Sequence, residues 1–134
     1  MLDQVQKPTR YTGGEMNTQL KPWDSAKLHF AFCFPDTYEV GMSHLGMKIL
    51  YAAMNQQPDM LCERTFMPWV DMMELMKQEK VPLFTLESRS PLSAFDVVGF
   101  TLQYEMSYSN ILAMLELGGI PLLRENRREE DPIV

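Results

Sequence analysis

The sequence predicts an α/β protein built on an open, mainly parallel sheet flanked by helices. Three observations carry this. Apolar runs of strand length recur at 28–34, 60–66 and 96–102, as expected where both faces of a sheet are covered. Stretches of helical length separate them, and that alternation calls for parallel pairing through right-handed crossovers. Turn signals stand between the segments: Pro35-Asp36, Asn55–Asp59 with Pro58, and Gly118-Gly119 ahead of Pro121.

In chain order, residues 1–27 are polar and turn-rich and form an N-terminal arm, with a domain over 28–134. Gly13 and Gly14 permit a tight backbone path, and Glu15 and Asn17 are polar. Leu28–Phe34 is a buried strand that Pro35 and Asp36 stop. Ser43 then caps a helix whose apolar positions Leu45, Ile49, Leu50 and Ala53 share one side. Met60–Phe66 reads as a second strand, with Glu63 and Arg64 near an edge or a strand end. Pro68 opens a helix through about Lys80. Its acids Asp71 and Glu74 come early and its lysines late, which suits the helix dipole. Leu83–Leu86 is expected as a third strand, followed by a loop. Asp96–Leu102 is a further buried strand, with Gly99 allowing close packing. A helix with Ile111, Leu112 and Leu115 apolar runs to Leu117. Arg124–Asp131 is a solvated loop of mixed charge. Pro132–Val134 reads as the opening of a strand cut short, so the domain is expected to be incomplete at its C-terminus.

Composition narrows the function classes. With 134 residues and 46% hydrophobic content, the chain can bury one sizeable core. A net charge of −6 disfavours nonspecific nucleic-acid binding. No apolar run approaches the roughly 18 residues of a membrane span, and no signal core opens the chain. The two cysteines, Cys33 and Cys62, form no CxxC or CxxxCxxC, so the chain offers no thiolate set for zinc or iron–sulfur. Free buried thiols suit a cytoplasmic setting. The twelve methionines are read as core, as in the stripe Val70, Met73, Met76.

In open α/β sheets ligands bind outside the carboxyl ends of the strands. Two loops fall there. The first supplies Asp36, Thr37, Tyr38, Glu39, Ser43 and His44 as candidate cofactor-binding residues; the second supplies Gln103, Tyr104, Glu105 and Ser107. Ser107 and its neighbour Ser109, near a helix amino end, can cap the helix or hold a phosphate or amide. Glu39 and Glu105 are expected to face one crevice, where a carboxylate pair is conceivable. There is no G-x-G-x-x-G, no G-x-x-x-x-G-K-[ST] and no G-x-S-x-G. No catalytic or metal-ligating residue is assigned.

Several runs carry a resemblance: Tyr11-Thr-Gly-Gly-Glu-Met-Asn17, Ala31 through Leu50, Cys62-Glu-Arg64, Pro68-Trp-Val-Asp71, Pro82 through Arg89, and Gly99-Phe-Thr-Leu-Gln-Tyr-Glu105. Together they resemble the N-terminal region of bacterial radical SAM proteins, in which a cobalamin-binding-like domain precedes a radical SAM barrel. The resemblance implies a Rossmann-like fold of the B12-binding or flavodoxin-like type. It also implies a parent enzyme using a [4Fe-4S] cluster and S-adenosylmethionine, held by a CxxxCxxC loop outside this chain, so the chain alone is expected to be inactive. In the D-x-H-x-x-G pattern of cobalamin-binding domains, the matching positions here are Met42, His44 and Met47, and only His44 agrees. Any cobalamin is therefore expected over the two loops without His44 as ligand. Two functions are expected: a cobalamin-binding-like module that binds cobalamin weakly or positions substrate or barrel, or a noncatalytic interaction or docking domain that binds no cofactor.

Overall fold

The computed structural model describes residues 1–134. A three-stranded parallel sheet forms its centre, with β1 (Leu28–Phe34) between β2 (Met60–Phe66) and β3 (Val97–Phe100) in the order β2-β1-β3. Four helices accompany it: α1 (Tyr38–Met42), α2 (Leu45–Gln56), α3 (Val70–Glu79) and α4 (Ser107–Leu117). This is a Rossmann-like open α/β sheet. Ile133 makes a lone parallel bridge to Val97 on the outer side of β3.

The pleat divides the core in two. Phe30, Phe32 and Phe34 alternate to one face, where Phe32 and Phe34 join Met47 and Tyr51 of α2, Cys62, Phe66 and Leu86. Ala31 and Cys33 alternate to the other, against Met72 and Met76 of α3 and Met114 and Leu115 of α4. The chain therefore covers one face with α2 alone and the other with two helices. Gly99 makes room for this packing: a Cβ there would lie 2.4 Å from the Phe30 ring.

The outer edge of β2 is closed by side chains. Asn55, buried at the end of α2, donates from Nδ2 to the Cys62 carbonyl and accepts the Cys62 N–H at Oδ1, both at 2.9 Å. The next outward pair belongs to Arg64. Its N–H donates to Glu87 Oε2 at 2.8 Å, and its carbonyl accepts from the Leu86 N–H at 2.9 Å. An edge strand left open would present these groups as a template for pairing.

Four sequence expectations are corrected. The apolar positions Leu45, Ile49 and Leu50 of α2 face outward, 68%, 58% and 53% exposed; Met47, Tyr51 and Asn55 face the sheet. His44, not Ser43, is the N-cap of α2, accepting the Met47 N–H at Nδ1. Ser43 instead donates to the Glu39 carbonyl at 2.7 Å and closes the short helix α1. Leu83–Leu86 is buried but is not a strand, since its amides bond to Leu117, Ser90 and Arg64 in turn rather than to one neighbour. The last strand ends at Phe100, and Leu102 is exposed.

Asn55→Ala strands a buried N–H and a buried C=O, and is expected to lower stability by about 2–3 kcal/mol. The reading is a lower urea midpoint at unchanged slope. Gly99→Ala drives a methyl into the Phe30 ring and is expected to cost about 1–3 kcal/mol in the same assay. An unchanged midpoint in either variant would contradict the packing described.

Candidate functional site

Because β2 and β3 flank β1, the chain leaves β1 to one side and later returns to the other. The point of reversal lies between the carboxyl ends of β1 and β3, the usual place for a ligand in an open α/β sheet. A hollow of about 270 Å³ opens there. Asp36, Ser43 and His44 line it from the first loop, and Gln103, Tyr104 and Ser107 from the second. Two bonds tie the first loop to the second loop and to α4. Asn110 Nδ2 donates to the Pro35 carbonyl at 2.9 Å, and the Tyr104 hydroxyl lies 3.4 Å from Asp36 Oδ2. Asp36 Oδ1 accepts the Thr37 N–H at 2.7 Å, which holds the carboxylate over the loop.

His44 has a fixed role. A backbone N–H can only donate, so the bond from Met47 makes His44 Nδ1 an acceptor. In the neutral ring the proton then sits on Nε2, leaving that nitrogen no lone pair for a metal.

The remaining candidates lie outside the hollow. The Tyr38 ring packs against Phe66, and its hydroxyl donates to Glu15 Oε1 at 2.6 Å. Glu39 accepts from Arg10 Nε at 2.9 and 3.0 Å and from Lys7 Nζ at 3.4 Å. Thr37 begins α1 without a side-chain cap, and Glu105 is solvent-exposed. The conceivable Glu39–Glu105 carboxylate pair is therefore not assembled, because Arg10 and Lys7 of the arm hold Glu39.

Sequence reasoning missed the polar centre of the molecule. Arg64, 5% exposed, donates from Nε to Glu87 Oε1 at 2.7 Å and from Nη2 to Glu15 Oε2 at 3.0 Å, and its guanidinium stacks over Tyr51. Burial pushes the Glu15 carboxyl up, but bonds from Tyr38 and Thr18 and the charge of Arg64 outweigh it and hold it below its usual range. Glu87 goes the other way: its burial exceeds the help from Arg64, and its pKa rises. Nearby, Glu63 is buried among hydroxyls, accepting from Thr85 Oγ1 and from Ser88 Oγ at 2.7 Å. The available sequence signal was the cluster Glu63-Arg64 inside an otherwise apolar strand.

The two cysteines are free, buried thiols. Cys33 and Cys62 lie on opposite faces of the sheet, and burial pushes both thiols up. No cluster of three or more His, Cys, Asp or Glu side chains is placed to hold a metal ion. No helix is long and apolar enough to cross a membrane.

Burial, together with its bond to Glu15, pushes the Tyr38 hydroxyl up to about 12. A raised folded-state value stabilises the protonated form. The contribution is thus complete below the ordinary value of 10.0 and lost as pH rises through about 12. Tyrosinate absorbance is expected to show, in the difference between the chain and Tyr38→Phe, one group ionising near the upper value. A difference ionising near 10.0 would mean that Tyr38 is neither buried nor bonded to Glu15 in solution.

No curated protein and no solved structure matches the chain. A family model described as "Radical SAM proteins, N-terminal" matches residues 46–134. That span contains α2 apart from its first residue, the whole sheet apart from β1, and the second loop of the crevice. Because the match takes in more than half of the chain, this protein belongs to the family formed by the N-terminal region of radical SAM proteins.

Proposed function

We propose that this domain is the docking and positioning module of a radical SAM parent enzyme, and that the carboxyl-end face of its sheet meets the rest of that parent. The observation that carries the reading is the rim of the crevice. Val40, Leu45, Leu102, Tyr104 and Met106 stand around it, 46–75% exposed. Val40 and Tyr104 line the hollow itself, and large apolar side chains exposed together near a crevice point to an interaction site. The parent's cluster and S-adenosylmethionine chemistry would be supplied outside this chain, whose two thiols are buried on opposite faces.

Cobalamin ligated by His44 does not fit the residues present. The capping bond makes Nδ1 an acceptor and leaves the neutral ring protonated at Nε2, with no lone pair there for cobalt. A corrin resting on the hollow without a histidine ligand is the second reading, and the position of that hollow at the switch point favours it.

Amide hydrogen exchange separates the two readings. Docking predicts that residues 40–45 and 102–106 exchange more slowly in the full-length parent than in the 134-residue chain. Equal exchange would remove the docking reading. Titration of the chain with hydroxocobalamin is expected to leave its visible spectrum unchanged. A saturable spectral change that survives His44→Ala would establish the second reading instead.

A further inference from the structure

A second hollow, of about 660 Å³, opens on the β2 side of the molecule, between the arm and α2. Small-molecule pockets are typically about 300–1,000 Å³. Its arm wall includes Asn17 and Gln19, its helix wall Lys48, Tyr51 and Ala52, and Arg64 and Met42 close its base.

The donors of Arg64 are unequally supplied. Nε has Glu87, and Nη2 has Glu15 and the Thr18 hydroxyl. Nη1 has only the Met42 thioether sulfur, at 3.4 Å. A thioether is a weak acceptor, so one end of a buried guanidinium lacks an oxygen partner. Lys48 lines the same hollow, is exposed, and forms no ion pair within the chain. The single carboxylate of the lining, Glu15, already has both oxygens engaged by Tyr38, Thr18 and Arg64. Arg64 is charge-paired with Glu87 and Glu15, so the free positive charge of the hollow is that of Lys48, on a chain of net charge −6. The arm wall is fixed in place, because the Tyr51 hydroxyl accepts from the Gln19 N–H at 2.8 Å and donates to its carbonyl at 3.3 Å. A wall ordered before binding lowers the entropy cost of taking up a ligand.

We infer that this hollow binds a small organic anion, with one carboxylate or phosphate oxygen between Lys48 Nζ and Arg64 Nη1 and its apolar body against Tyr51, Met42 and Ala52. The site is separate from the switch-point crevice and does not rest on the docking reading.

The test is an amide-resolved NMR titration of the chain with succinate and, separately, with inorganic phosphate, at constant ionic strength. Saturable shifts centred on residues 15–19 and 48–52 are expected with at least one probe. A response to one probe alone assigns the oxyanion as carboxylate or phosphate. Lys48→Met is expected to weaken binding about tenfold, and Lys48→Arg to keep it within about threefold, as befits a charge-assisted contact. Lys48 is exposed, so neither variant disturbs the core. No saturable shift with either probe, or an unchanged affinity in Lys48→Met, would overturn the assignment.

Discussion

Arg64 is the interaction on which the rest of the structure depends. It sits in the edge strand, yet its backbone and side chain both turn outward to one carboxylate. Glu87 Oε2 takes the N–H and Glu87 Oε1 takes Nε, while the Leu86 N–H returns to the Arg64 carbonyl. The far end of the guanidinium holds Glu15, and through it Tyr38. The arm, the sheet edge, the 83–91 segment and the first crevice loop therefore share one charge cluster. Charges this deep are costly to desolvate. Losing one partner of such a cluster typically costs about 3–5 kcal/mol, more than the intact cluster contributes. The arrangement fixes geometry more than it adds stability. The opposed shifts of its acids reflect this: Glu15, which keeps some solvent and three donors, is held down, and the more buried Glu87 is pushed up.

The arm could not lie where it does without glycine. Gly13 has a φ of 63°, and a Cβ there would come within 2.7 Å of the Leu86 carbonyl oxygen. That close approach carries the chain from the Tyr11 hydroxyl, which accepts the Trp69 N–H, to Glu15 above Arg64. The Gly-Gly pair, legible in the sequence only as a turn, is thus what lets a polar arm reach a buried cation.

What the sequence disclosed depends on the range of the signal. The alternation of strands and helices is local, and it places β1, β2, α3 and α4 well. The two crevice loops follow from that alternation, and six of the ten residues singled out line the hollow. The face of α2 was not legible because α2 is apolar on both sides. Leu45, Ile49 and Leu50 make as good a stripe as Met47, Tyr51 and Met54. The choice falls to Asn55 and Tyr51, whose polar atoms find partners only toward the β2 edge and the arm. The partners of Arg64 lie 23 and 49 positions away, and those of Glu39 lie 29 and 32 away. No spacing rule connects residues so far apart. Leu83–Leu86 has strand composition, but three different elements claim its amides.

The unequal cover of the sheet bears on the docking reading. A parallel sheet is stable when both faces are buried. One face here has α3 and α4, and the other has α2 alone. Register places Val97 and Gly99 of β3 on the α2 face, opposite Phe30 and Phe32, and both are only half-buried. Leu50 on the flank of α2 and Leu102 beyond β3 are exposed as well. Phe30 fills the space above Gly99 with its ring, which offsets part of the deficit from within the chain. The aromatic packing on this face thus completes a small core that a single helix covers.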